Sequence, residues 1–289
     1  MARDAIDQVW FRWQEVSLPR LDASIEKFYE LTPEESRLAS GPSRLEELRT
    51  RELIARHVPP APSTVLDVGG AAGVYAFWLA ERGYDVRLVD ASARLVEIAR
   101  KRNERAPRPL AACTIGDARD LAEANESADV VVLLGPLYHL VDASDRRQAL
   151  SEAFRVLRKG GTLIAAAISR WASVLDGLSR ELFMDEEFAR IVDGDLATGR
   201  HRKPTDKLDY FTTAYFHRPE DLSGEVAGVG FDVVGLYGIE GPAWMLPDFA
   251  ERWGDDNRRG VMLRVARLVE SEPAMVGVSA HLMVVGRKP

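Results

Sequence analysis

From Thr64 onward, short apolar runs alternate with amphipathic stretches, and this alternation predicts most of the fold. Thr64-Val65-Leu66-Asp67-Val68 is a buried-strand pattern, followed by a glycine-rich turn from Gly69 to Gly73. Val74 to Arg82 predicts a helix with Gly83 at its C-terminal cap. Val86 to Val89 predicts a second strand that ends in Asp90. Ser92 can cap the next helix, in which Leu95, Ile98 and Ala99 share one face. A third strand covers about Ala112 to Ile115. Val130 to Leu134 is apolar at every position, as expected for a strand buried on both faces of a parallel sheet. A helix with Leu150, Phe154 and Leu157 on one side closes at Lys159-Gly160-Gly161, and Thr162 to Ile168 makes a fifth strand. The order β-α-β-α-β-α-β-α-β implies an α/β, doubly wound parallel sheet with helices on both faces. Ligands bind such sheets beyond the carboxyl ends of the strands.

The flanks read differently. Residues 1–60 predict an N-terminal helical lid, with Trp10, Trp13 and Val16 at helical spacing and Leu45, Leu48, Leu53 and Ile54 repeating it. Pro59-Pro60-Ala61-Pro62 cannot continue a helix and opens the core, residues 61–168. Residues 169–217 are mixed and polar, with scattered aromatics, and read as a cap or substrate insertion over the strand ends. Residues 218–289 resume the core. Pro219-Glu220-Asp221 starts a helix, Phe231 to Tyr237 is a sixth strand, a helix runs around Val261 to Leu268, and His281 to Val285 is a seventh strand.

Composition narrows the function. The net charge of −7, with 45 acids against 38 bases, lacks the basic footprint that phosphate-backbone binding needs, so no nucleic-acid partner is expected. The basic run from Arg100 to Arg108 is read as the solvated close of a helix. The single cysteine, Cys113, sits in an apolar run and reads as a buried structural thiol in a reducing, cytoplasmic compartment. The N-terminus has no apolar signal core, and apolar runs such as Leu163 to Ile168 fall far short of the ~20 residues of a membrane span, so no membrane partner is expected. No metal-ligand cluster stands out.

The chemistry gathers at three strand ends. Asp67 precedes the glycine turn, Asp90 ends the second strand, and Asp117 follows the third in Gly116-Asp117-Ala118. Taken singly, the turn is a common α/β feature, Asp90 could cap a helix and Asp117 could shape a turn. Three acids at the ends of three successive strands are a more specific signal. A carboxylate so placed can hold ribose hydroxyls or accept from an exocyclic amine. A nicotinamide fingerprint does not fit. From Gly69 its later glycines would fall on Ala71 and Val74, and from Gly70 on Ala72 and Tyr75.

Asp67-x-Gly69-x-x-x-Gly73 resembles the first motif of class I, Rossmann-like S-adenosylmethionine-dependent methyltransferases of the small-molecule type, with Ala71 in place of the middle glycine. Asp90 matches their ribose-binding acid and Asp117-Ala118 their adenine-binding motif. Asp129 to Leu140 looks like their fourth-strand motif, and Leu157-Arg158-Lys159-Gly160-Gly161 like the segment before strand five. The resemblance implies a seven-stranded, mostly parallel sheet whose last strand is antiparallel beside the sixth. It also implies S-adenosylmethionine as cofactor, held by Asp67, Gly69, Gly70, Gly73, Asp90, Ala91, Asp117, Ala118, Leu134 and Gly135. Tyr29, with one of Arg44, Arg49 or Arg51, would reach the methionine end from the N-terminal helices. A methyl group would pass to an O, N, C or S atom of a small-molecule substrate. His139, His201 and His217 are the candidate general bases, while His57 and His281 read as structural. Tyr138, Tyr215 and Trp244 are the candidate substrate contacts. The alternatives are a non-catalytic binder of S-adenosylmethionine or S-adenosylhomocysteine, and a nicotinamide-dependent oxidoreductase. Oligomeric state, a homodimer included, stays open.

Overall fold

The computed structural model describes residues 22–202 and 210–289. The Trp10, Trp13 and Val16 pattern lies outside the described residues, as does part of the insertion. The lid begins with α1 (Ala23–Leu31), capped by the Asp22 carboxylate. A 3₁₀ turn (Glu34–Ala39) and α2 (Ser43–His57) follow, and α2 buries Leu45, Leu53 and Ile54.

The core follows the predicted alternation: β1 (Thr64–Val68), α3 (Val74–Glu81), β2 (Asp85–Asp90), α4 (Ala93–Asn103), β3 (Ala112–Ile115) and β4 (Ala128–Leu133). Then come α5 (Pro136–His139), α6 (Ala143–Val156) and β5 (Leu157–Ser169). The Ser92 side chain caps α4, as the sequence predicts. The insertion supplies α7 (Ala172–Ser179), α8 (Glu186–Thr198), β6 (Arg200–His201) and β7 (Ala214–His217). The chain ends with α9 (Pro219–Ala227), β8 (Asp232–Gly238), α10 (Phe249–Gly254), α11 (Asp256–Val269) and β9 (His281–Arg287).

Strands β3-β2-β1-β4-β5 run parallel in that order, and β9 pairs antiparallel with both β5 and β8. That is the expected sheet with one reversed strand. Because β9 is reversed, its first residue, His281, pairs with Ile168 near the carboxyl end of β5. β4 lies at the centre. Val131 and Leu133 pack into the core on one face, Val130 and Val132 into the core on the other. This explains its unbroken apolar sequence.

Three details depart from the sequence reading. The β3–β4 connection was expected to hold a helix. It instead forms a turn in which the Asp120 N–H donates to the Asp117 carbonyl, while Ala118 and Leu121 pack on the core. β5 begins at Leu157, and its register against β4 shifts between Ala128 and Val130, with Gly160 at φ +73°. Finally, the insertion extends the sheet, since β7 continues the edge of β5 and pairs with β6.

Arg49 ties the lid to the core. Its guanidinium is fully buried, donates to the Ile239 carbonyl, and pairs with Glu52 and Glu270. Removing one partner of a buried ion pair strands the others. Arg49→Leu is therefore expected to destabilise the fold by about 2–4 kcal/mol, below the usual ceiling because Arg56 still neutralises Glu270. Urea unfolding checks this. An unchanged midpoint would show that α2 docks by its apolar face alone.

Candidate active site

β1 ends one residue before the glycine turn, and the Gly69 N–H donates to the Val89 carbonyl at 2.7 Å. Gly69 has φ +73°, and a Cβ there would lie 2.4 Å from Pro136 Cδ, so only glycine fits this close approach. Ala71 also takes a positive φ, 47°, and its N–H donates to Asp90 Oδ2 at 2.8 Å. The hydrogen bond explains how an alanine holds a backbone shape that favours glycine.

This turn walls a cavity of about 400 Å³. Tyr29, Asp67, Gly69, Gly70, Asp90, Ala91, Asp117, Ala118, Leu134 and Gly135 all line it. Gly73 does not. It starts α3 at φ +84°, so its role is to turn the chain. Asp67 is buried and its Oδ2 has no partner among the described residues. Burial, reinforced by the charge of Asp90, pushes its carboxyl up to about 7. Asp90 is raised too, by burial, although it accepts the N–H groups of Ser92 and Ala71. Asp117 differs. Burial works against its charge, but Arg119, 2.7 Å away, holds it below the usual carboxylate range. Arg119 also reaches Asp145 at 2.6 Å.

A second cavity, of about 420 Å³, meets the first at Tyr29, Glu34, Arg37, Tyr138 and His281. Its walls are largely aromatic, with Phe28, Phe188, Phe211, Phe216 and Trp244 among them. Tyr138 and Trp244 thus stand where substrate contacts were expected, Trp244 with its indole N–H on the Val278 carbonyl at 2.9 Å. Tyr215 lines neither cavity. It packs under the Arg146 guanidinium, 3.7 Å from the ring centroid.

The three candidate histidines separate. His139 lines the first cavity, and its Nε2 is hydrogen-bonded to the Tyr29 hydroxyl at 2.6 Å. Burial pushes its imidazole down to about 4, so it is neutral at pH 7, and its Nδ1 has no partner among the described residues. His201 lines the second cavity, but Asp195 engages its Nδ1 at 2.8 Å and the Tyr210 carbonyl its Nε2 at 2.7 Å. Both ring nitrogens are thus committed to partners within the protein. His217 is fully buried outside both cavities, with Nε2 3.2 Å from Glu225.

Sequence reasoning missed the cluster at the junction. Of the lid arginines, Arg44, Arg49 and Arg51 line neither cavity, whereas Arg37 lines both. Arg37 pairs with both oxygens of Glu46, at 2.7 and 2.9 Å, and with Glu34 at 2.9 Å. His281, read as structural from its place in a strand, faces both cavities. Its Nδ1 lies 2.5 Å from Glu240 Oε1 and 4.0 Å from Glu46 Oε2. The signal was available, because the first residue of a reversed strand sits at the same sheet edge where its parallel neighbours end.

The family described as "Methyltransferase domain" matches residues 65–161. An uncharacterized methyltransferase of Mycobacterium tuberculosis is 34% identical over 106 residues, which are 37% of this chain and 40% of that relative's length. A glycine/sarcosine N-methyltransferase of Aphanothece halophytica is 27% identical over 210 residues, covering 67% of this chain and 72% of the relative. The solved structure of a S-adenosylmethionine-dependent methyltransferase from Methanosarcina mazei superposes with a TM-score of 0.56 at 16% identity, over 82% of this chain and 96% of that one. The matched segment contains the glycine turn, the three strand-end acids and β4, so residues 65–161 form a methyltransferase-family domain on the Rossmann-like fold of the solved S-adenosylmethionine-dependent methyltransferases.

Proposed function

We propose that this protein transfers the methyl group of S-adenosylmethionine to a small molecule bound in the aromatic second cavity. One observation carries the reading: Asp67, Asp90 and Asp117 converge on one cavity lined by nine Asp or Glu side chains and two Arg. Such a lining disfavours a dinucleotide pyrophosphate and suits a ligand bearing sulfonium and ammonium charge. The residues fit that ligand on their own evidence. Asp67 offers an unpartnered buried carboxylate oxygen, and the Gly69 backbone leaves no room for a side chain. Asp90, fixed by two backbone N–H groups, would take the ribose hydroxyls. Asp117, already paired with Arg119, would reach the adenine amine with its remaining lone pairs.

When bound, S-adenosylmethionine supplies an electrophilic methyl group. The chain supplies position and exclusion of water. Tyr29 and Tyr138, at the junction of the two cavities, would flank the acceptor and the sulfur. His139 orients Tyr29 through their 2.6 Å hydrogen bond, and its low basicity makes it a weak proton acceptor at neutral pH.

Two outcomes are expected. With S-adenosylmethionine and a panel of small hydroxyl, amine and thiol acceptors, the protein forms S-adenosylhomocysteine. Asp90→Asn lowers kcat/KM for the cofactor about 10–100-fold, the worth of charge-assisted hydrogen bonds. Cofactor binding without turnover on any acceptor would favour a non-catalytic binder instead.

A third outcome concerns pH. Between the ordinary carboxyl value and about 7, folded ligand-free protein holds a proton on Asp67 that the unfolded chain has released. Asp67 thus withdraws stability as pH rises through that window. A cationic ligand favours the ionised form. Its affinity should therefore rise as pH climbs through about 7, with proton release below that value. Calorimetry in two buffers of different ionisation enthalpy reads the proton directly. Proton uptake, or none, would exclude Asp67 from the ligand's charged end.

A further inference from the structure

His281 lies at the junction of the two cavities, and the transfer reading does not yet use its chemistry. Its Nδ1 is committed to Glu240, and the Glu240 carboxylate also accepts the His281 backbone N–H at 3.0 Å. Its Nε2 has no hydrogen-bond partner among the described residues, and the side chain remains 22% exposed. That exposure is toward the junction, since His281 lines both cavities. Two carboxylates and one guanidinium act on its charge. Glu240 precedes the turn before α10, Glu46 comes from α2, and Arg37 comes from the lid. Two carboxylates against one ring favour the imidazolium, and although burial and Arg37 oppose the charge, His281 is held up to about 9.

Building on the methyl-transfer reading, we infer that His281 presents an N–H donor to the acceptor atom, and that this selects an oxygen nucleophile: the acidic hydroxyl of a flat aromatic or enolic molecule. The reason is lone-pair arithmetic. An amine nitrogen has one lone pair, and a donor that occupies it abolishes the attack. A hydroxylate oxygen has three, so one can accept from His281 while another attacks. The surroundings agree. The cavity walls of Phe28, Phe188, Phe211, Phe216 and Trp244 match a planar apolar body. The acceptor gives up its hydroxyl proton to water on binding against the imidazolium. Its oxygen then forms a bond to the methyl carbon, the carbon–sulfur bond breaks, and its electron pair stays on sulfur. An aryl or enol ether and the neutral thioether result. This separates the chain from the amine-directed activity named for its Aphanothece relative.

4-Nitrophenol tests this, because its ionised form absorbs where the neutral form does not. The full chain is saturated with S-adenosylhomocysteine, whose binding is first read by thermal shift. The ionisation midpoint of bound 4-nitrophenol is then measured. A charge-assisted hydrogen bond should lower that midpoint by about one pH unit, a tenfold preference for the anion. 4-Nitroaniline, of the same shape, should bind at least about tenfold more weakly at neutral pH. His281→Gln should abolish the midpoint shift while keeping the thermal shift. If that variant does not fold, Glu240→Gln carries the test, because it loosens the proton on His281 and should shrink the midpoint shift. Four results overturn the inference: no 4-nitrophenol binding, an unshifted or raised midpoint, equal binding of the aniline, or loss of the effect with a chelator. The last would assign the charge to a divalent cation on Glu46, Glu240 and His281. Failure of the initial thermal shift would instead sink the methyl-transfer reading itself.

Discussion

The hydrogen-bond ladder that joins β3, β2, β1 and β4 in parallel sets the position of the three strand-end carboxylates. Val68 pairs with Val89 and Asp90 with Ile115, so the carboxyl ends of three strands finish at one edge. Asp67, Asp90 and Asp117 then meet although tens of residues separate them in sequence. A parallel ladder needs both faces covered. β4 meets that need by sending alternate apolar side chains into two cores. Any shift of register by one residue would exchange these faces and scatter the acids.

The same edge brings the two cavities together. The lid supplies Tyr29, Glu34 and Arg37, the segment after β4 supplies Tyr138 and His139, and the reversed strand β9 supplies His281. Half-buried ion pairs hold these pieces in place: Arg37 with Glu46, and His281 with Glu240. Such pairs contribute little net stability but fix geometry, because a buried charge without its partner is expensive. The charged pairs are therefore set where the acceptor and the methyl group would meet, while aromatic side chains supply much of the second cavity's wall.

The parallel core was legible because its signals are local. An apolar run, a glycine turn and an acid at each strand end can be read from Thr64 to Asp117 without knowing what packs against them. The antiparallel last strand followed from resemblance. What escaped depends on distant partners. The Arg119 that claims Asp117 lies only two residues away, yet its bridge to Asp145 comes from α6. Arg37 could not be told from Arg44, Arg49 and Arg51, since a charged residue on a lid helix gives no sign of which face turns inward. Tyr215 and His217 look chemical in sequence, but a buried cluster with Arg146 and Glu225 absorbs them. The β3–β4 turn failed as a helix because Asp117 satisfies its own local backbone, donated to by the Arg119 N–H at 2.9 Å.

The central claim is that the acid-lined cavity takes S-adenosylmethionine or its demethylated product. Thermal unfolding of the wild-type chain with S-adenosylhomocysteine, compared with NADH, tests it most directly. A ligand at one hundred times its dissociation constant stabilises the fold by about 2.7 kcal/mol. For a chain of this size the midpoint should rise by roughly 5–10 °C with S-adenosylhomocysteine and stay unchanged with NADH. A rise with NADH and none with S-adenosylhomocysteine would contradict the account and return the chain to the nicotinamide-dependent enzymes.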